Sequence, residues 1–415
     1  MGFLGYRCLS CGKEQGGGKS LYGCPACGSN LDVVYDHAAL RKKVTPKKLE
    51  GRPWTHWRYR ELLPLKREID FPLPVGGGPL LPSARLAHRA GLKNLFLKDD
   101  TRNPSASFKD RAGSVVLAKA IEEKASLVAC ASTGNAGSSL ACLGAALGQK
   151  TLVFVPRTAP KPKIAQLQIF GARVLAVDGT YDDAYDLCGK ACREFGWYNR
   201  STGINPFTRE GKKTVSYEIW EQLGRRSPDL VFVPVGDGNI LSGVWKGFRD
   251  LLALGWIRRM PKLMAVQSTL SNSVSRTVAS RRGTGAGTPV RLIPVQATTL
   301  ADSISVNLPR DGAAAVLAVE ETGGSAVEVT DLEILAAQKL LAETVGLFVE
   351  PAGATGVAGL LKFMQGRTLP VQDRVVCLLT GNGLKDVGAV LKYVGEPPVI
   401  EPRLESLKKT VSDLL

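Results

Sequence analysis

Residues 127–155 read LVACASTGNAGSSLACLGAALGQKTLVFV, and this stretch decides the fold. Residues 127–131 are a short, wholly apolar run, as a strand buried on both faces requires. The run stops at Ser132-Thr133-Gly134-Asn135-Ala136-Gly137. Residues 136–147 then read as a helix, and 151–155 as the next buried strand. Working outward, 95–97 and 173–177 read as strands, and 110–123 and 164–170 as helices. Residues 230–235, 263–267 and 375–379 are further apolar runs suited to buried parallel strands. Helical connections between such runs argue for an α/β architecture.

The chain has 415 residues, 44% of them hydrophobic, which is too long for one compact core. Two main domains plus a small appendage are expected. No stretch of 18 uninterrupted apolar residues occurs, so no membrane span is expected. The first residues, MGFLGYRCLSCGKE, lack the apolar core of a signal peptide, and a cytoplasmic location is the expectation. The net charge of +16 is uneven: residues 1–60 hold 11 Lys/Arg against four Asp/Glu. Arg41, Lys42, Lys43, Lys47 and Lys48 supply much of that excess, which reads as a solvated basic face rather than a nucleic-acid surface.

Nine cysteines, an odd number, argue against a complete disulfide framework. Cys130, Cys142, Cys188, Cys192 and Cys377 lie in apolar or helical contexts and read as reduced core residues. The other four form two C-x-x-C-G knuckles, Cys8/Cys11/Gly12 and Cys24/Cys27/Gly28. Each Gly tolerates positive φ, and two knuckles place four sulfurs around one tetrahedral ion. Zinc suits that geometry, in a structural role with no open coordination position. Residues 36–92, rich in Pro, Gly and Trp, read as an arm wrapping the body. Residues 277–290 read as a flexible loop, and 401–415 as an amphipathic helix packed on the body.

Four polar or Gly-rich segments sit where strands should end, the place where open α/β sheets bind ligands. In Asp99–Arg111, DDTRNPSASFKDR, Lys109 follows a polar turn and opens a helix. The helix dipole there favours the neutral amine that a Schiff-base lysine needs. Residues 132–137 offer N–H groups, two hydroxyls and an amide to a carboxylate. Residues 234–240, PVGDGNI, let backbone approach a phosphate at a helix N-terminus. In LLTGNGLKD, residues 378–386, Thr380 stands at a strand end with its hydroxyl free for a ring nitrogen.

Together, NPSASFKDR, STGNAG, NPFTREGKKT, VEPAGATG and LLTGNGLKD resemble the tryptophan-synthase-like, fold type II pyridoxal-phosphate enzymes, and within them the threonine synthases. The resemblance spans about residues 75–395. It implies two doubly wound α/β domains behind the zinc knuckle: a knuckle at 1–35, an arm and start of the large domain at 36–106, a small domain at 107–225 and a large domain at 226–415. It implies Lys109 as the catalytic lysine carrying pyridoxal phosphate. Asn135 would bond the ring hydroxyl oxygen, Gly236, Asp237, Gly238, Asn239 and Ile240 the cofactor phosphate, and Thr380 the pyridine nitrogen. Ser132, Thr133, Asn205 and Arg209 would bind a small phosphorylated amino acid. The implied reaction turns O-phosphohomoserine and water into threonine and phosphate, in a homodimer.

The chain departs from the family pattern in places. Ala106 replaces a common Gly. The loop at 236–239 is short and carries Asp237, which is expected to point away from a phosphate. Thr208 stands where some threonine synthases have Arg, with Arg209 one place later. These departures keep open a related enzyme: a β-replacement enzyme acting on phosphoserine, such as a cysteate synthase, or a small amino acid ammonia-lyase. A nucleic-acid-binding protein is disfavoured by the intact Lys109, Asn135 and Thr380 set.

Overall fold

The computed structural model describes residues 2–66, 69–283 and 288–411. One parallel sheet has the order Arg173–Val177, Thr151–Pro156, Val128–Ala131, Tyr198–Asn199. A second, larger sheet has the order Ser325–Val329, Lys262–Ser268, Leu230–Pro234, Arg374–Leu379, Asn94–Asp99, Leu80–Pro82. Its first five strands are parallel and the last is antiparallel. The apolar runs at 127–131, 151–155, 230–235, 263–267 and 375–379 are inner strands, buried along nearly their whole length, while the strand read at 173–177 forms at a sheet edge and is largely exposed. Leu80–Pro82, Tyr198–Asn199 and Ser325–Val329 were not foreseen. All three lie at sheet edges, where strands are short and apolar patterning is weak.

The expected helices form as Lys109–Glu122, Asn135–Ala146 and Lys161–Ile169. Two expectations are corrected. Thr277–Ser280 belongs to the helix Ser273–Ser280, where Thr277 Oγ1 donates to Ser273 O and accepts from Ile293 N. The rest of that presumed loop includes 284–287, outside the described residues. The tail does form a helix, Leu404–Thr410, but it buries none of its residues. Leu404 and Leu407 stay exposed, a stripe too narrow to hold a helix against the body.

The arm adds short helices, His37–Lys43 and Ala84–Arg89, and clasps the body through Arg58 and Tyr59, which both bond Glu221. The front forms a three-stranded antiparallel sheet, Glu14–Gly16, Phe3–Cys8 and Leu31–Tyr35. The rings of Phe3 and Tyr6 lie edge-on to Phe207, 6.3 and 6.0 Å away.

The centre is an ion cluster. The Arg111 guanidinium, fully buried, bonds Asp100 Oδ2 and Oδ1 at 2.6 and 2.7 Å, Glu218 Oε1 and Oε2 at 2.7 Å each, and Thr214 Oγ1 at 2.9 Å. Lys98 Nζ meets Glu218 Oε2 at 2.6 Å. Two cations and two carboxylates thus balance in a dry site, with the planar fork engaged on both sides. Gly211 lets the Phe207–Lys212 helix touch this point: a Cβ there would lie 1.8 Å from Arg111 O. Arg111→Met leaves Lys98 facing two buried carboxylates, so a loss of about 3–5 kcal/mol is expected, read as a lower denaturation midpoint. A midpoint equal to the parent's would show the cluster to be energetically idle.

Candidate active site

Four helices start at one pocket: Lys109–Glu122, Asn135–Ala146, Asn239–Ala253 and Pro351–Met364. Each first turn has backbone N–H groups with no partner in its own helix, so the pocket is surrounded by donors and positive dipole ends. Lys109, Asn135, Gly236, Asp237, Gly238, Asn239, Ile240 and Thr380 all line it, with Ser303, Ile304 and Glu350. A cleft of about 660 Å³ shares Lys109, Asn135, Asp237 and Ser303 with the pocket and is walled by Ser132, Thr133, Tyr181 and Thr202. Backbone bonds knit the loops together: Phe108 N to Thr380 O at 2.8 Å, Asn382 N to Ala106 O at 3.0 Å, and Glu350 N to Gly381 O at 2.9 Å.

Burial holds the Lys109 amine below its ordinary value; Asp237 and Glu350 oppose the shift and Arg200 adds to it. Desolvation is the largest of these causes. Asn135 Nδ2 donates to Glu350 Oε1 and Oε2 at 2.9 and 3.1 Å, so its amide is already oriented. Burial pushes the Glu350 carboxyl up. Glu350 escaped the sequence reading, although its position at the start of a Pro-led helix was a usable signal. Asp237 lines the pocket, but its Oδ1 is held at 3.1 Å by Arg310 N. Ala106 adopts φ +60°, a left-handed conformation that strains any residue but Gly.

Asn205 and Arg209 are not brought to the pocket. Asn205 is buried, capping the start of the next helix through Phe207 N and bonding Asn199 O. Arg209 is spent on Asp32 at 2.9 Å and Asp311 at 2.6 Å. Asp311 also accepts from Asn239 Nδ2 at 2.7 Å and Ser242 Oγ at 2.5 Å. This chain of bonds runs from the front sheet to the Gly236–Ile240 turn. Lys212, also buried and unforeseen, donates from Nζ to Asn239 Oδ1.

The sulfurs of Cys8, Cys11, Cys24 and Cys27 lie within 4.8 Å of one another, a group that could hold a metal ion. Gly12 and Gly28 take φ +71° and +72°, and the N–H groups of Ser10 and Cys11 point at Cys8 Sγ, 3.4 Å away. The other five cysteines are free and buried. Among the described residues no helix is long and apolar enough to cross a membrane.

The pattern of the pyridoxal-phosphate dependent enzyme family matches residues 72–381. The threonine synthase of Methanocaldococcus jannaschii is 38% identical over 411 residues, covering 98% of this chain and 99% of that protein. The threonine synthase of Mycobacterium leprae is 34% identical, covering 83% and 91%. Among solved structures, a processed threonine deaminase isoform from Solanum lycopersicum superposes with TM-score 0.66 at 22% identity, over 76% of this chain and 87% of that one. Maize serine racemase gives 0.63 at 23%, over 76% and 90%. These two establish likeness of fold.

The two glycines before the pocket's helices differ in what they demand. Gly238 has φ +84°, and a Cβ would meet Asp311 O at 2.8 Å; Gly134 has φ −99° and open space. Gly238→Ala is expected to cost about 1–3 kcal/mol, and Gly134→Ala less than about 0.5 kcal/mol. Thermal unfolding of the two variants checks the difference.

Proposed function

The chain belongs to the pyridoxal-phosphate-dependent enzyme family, and from that premise we propose that it is a threonine synthase, converting O-phosphohomoserine and water into threonine and phosphate. The observation that carries this reading is the meeting of Lys109, Asn135, the Gly236–Ile240 turn and Thr380 around one pocket, in a chain that aligns nearly end to end with a threonine synthase.

The pocket fits the cofactor. At Gly236 a Cβ would lie 2.8 Å from Ile304 Cα, so the turn keeps a narrow cradle of backbone that a side chain would fill. Helix N–H groups at Asn239 and Ile240 suit a phosphate there, with the buried Lys212 amine close behind. Lys109 would hold the cofactor, Asn135 its ring hydroxyl oxygen and Thr380 its pyridine nitrogen. Bound there, pyridoxal phosphate supplies an electron sink for the substrate's carbon skeleton. Lys109, whose burial favours the neutral amine, would take the proton from Cα and later return it there, and would carry a proton from Cβ to Cγ. Ser132 and Thr133 hydroxyls receive the substrate carboxylate. Phosphate leaves from Cγ, and the hydroxyl of water ends on Cβ.

Four thiolates at one point match the donor set of structural zinc, and we assign one zinc to Cys8, Cys11, Cys24 and Cys27. A second reading keeps the cofactor and changes the substrate to phosphoserine. It is favoured by the engagement of Arg209 in ion pairs away from the cleft.

Offered phosphohomoserine and phosphoserine separately, the purified enzyme is expected to release threonine and phosphate from the first; product formed from phosphoserine alone selects the second reading. Borohydride should fix the cofactor on Lys109, as read by peptide mass spectrometry. Lys109→Ala should abolish turnover with the circular dichroism unchanged. Metal analysis should find about one zinc per chain, and Cys24→Ser should lower it; unaltered zinc content would remove Cys24 from the ligand set.

A further inference from the structure

A second cleft, of about 730 Å³, opens beside the start of the edge strand Ser325–Val329 and shares no lining residue with the cofactor pocket. Its floor is apolar, made by Trp245, Val278, Leu317 and Ala326. That size and lining suit a small molecule with an apolar body. Charge is confined to the mouth. Arg281 is spent on Glu320, Nε donating to Oε1 at 2.8 Å. Arg282 is exposed and pairs with no carboxylate among the described residues. Glu321 makes a single loose ion pair among the described residues, to Arg249 Nε at 3.7 Å. Arg249 itself lies over the Trp245 ring, its guanidinium 4.7 Å from the ring centre. The mouth therefore offers one cation and one carboxylate that the fold has left largely unused, above an apolar floor. A ligand with a carboxylate, an ammonium and an apolar side chain matches all three features.

Three helices join this cleft to the active site. Asn239–Ala253 begins at the turn assigned to the cofactor phosphate and brings Trp245 to the cleft about 9 Å further along its axis. Gly312–Glu321 is preceded by Asp311, which accepts from Asn239 Nδ2 at 2.7 Å, and it ends at Glu320 and Glu321 on the cleft. Ser273–Ser280 starts close to Ser271, whose hydroxyl donates at 2.8 Å to the carbonyl of Ile304, a residue of the cofactor pocket. Its other end carries Val278 and leads into Arg282. Gly312–Glu321 packs against both of the other helices. Packed helices shift as units, so a ligand that draws their far ends together moves the groups at their near ends.

We propose that this cleft is a regulatory site for a free α-amino acid with an apolar side chain. The side chain enters between Trp245, Val278, Leu317 and Ala326, the carboxylate meets Arg282, and the ammonium meets Glu321. Binding at the cleft is independent of the substrate's identity; only the effect on turnover rests on the threonine synthase reading.

The probes are L-leucine and L-phenylalanine, titrated by calorimetry into the holoenzyme. At least one is expected to saturate a site on each chain. Arg282→Gln should weaken that binding about tenfold, as loss of a charge-assisted bond does. 4-Methylpentanoate, which lacks the ammonium of leucine, and leucinamide, which lacks the carboxylate, should each bind about fivefold more weakly or worse. Ala279→Trp, at an exposed position on the cleft wall, should fill the cleft and abolish binding while basal turnover holds. The bound amino acid should shift KM for phosphohomoserine about fivefold or more in the unaltered enzyme, and not in Ala279→Trp. An amino acid that binds at the cofactor instead changes the cofactor's absorbance and keeps its affinity in Ala279→Trp; that result overturns the proposal. So does the absence of saturable binding to the unaltered holoenzyme, or full affinity in Arg282→Gln. Tighter binding of 4-methylpentanoate than of leucine gives the cleft to a fatty acid and overturns the amino-acid assignment. Binding that leaves both KM and kcat unchanged removes the regulatory role. Should the unaltered enzyme not turn over phosphohomoserine, the substrate reading falls, while calorimetry still decides the site.

Discussion

The Arg111 guanidinium, closed on Asp100 and Glu218, fixes the geometry on which the site depends. Asp100 directly follows the Asn94–Asp99 strand of the larger sheet, and Glu218 sits in the helix Thr214–Gln222. Arg111 lies two residues into the helix that Lys109 opens. The pairing therefore sets where that helix begins, and Lys109 cannot shift without opening a buried ion cluster. A neutral hydrophobic cluster of equal volume could hold the same elements together. The fork of Arg111 adds direction, because its two carboxylates must lie in the guanidinium plane.

Asp311 plays a comparable part on the other side of the pocket. It gathers Arg209, Asn239 and Ser242, and Arg209 reaches on to Asp32 in the front sheet. Asn30, three residues beyond Cys27, donates to Arg310 O and Asp311 Oδ1. The cysteine knuckle is therefore joined by short polar bonds to the turn that lines the pocket. An appendage read as separate from sequence is built into the support of the site.

Electrostatics at the pocket are deliberately unbalanced. Lys109, Lys212 and Arg200 are held with few opposing charges, and burial pushes all three down. Asp237 and Glu350 are the carboxylates that offset Lys109. Such an excess of cations suits ligands that bring several negative charges, as two phosphate groups and a carboxylate do.

Much of this was legible in the chain. Inner strands announced themselves because burial on both faces demands unbroken apolar runs, as in 127–131 and 375–379. The loops at Lys109, Asn135, Gly236–Ile240 and Thr380 were legible because strand-to-helix turns need small and polar residues in a fixed order. Edge strands such as Tyr198–Asn199 were not, since they bury too little to mark the sequence; the tail helix was legible, but its exposure was not. Residue types in local order therefore determined the fold class and the pocket's main contributors. Tertiary structure decided which charges are paired: Arg209 and Arg200 are nine positions apart and identical in kind, yet one meets Asp32 and Asp311 and the other pairs with no carboxylate among the described residues. Pairing depends on elements brought together from distant parts of the chain, and local sequence does not carry that information.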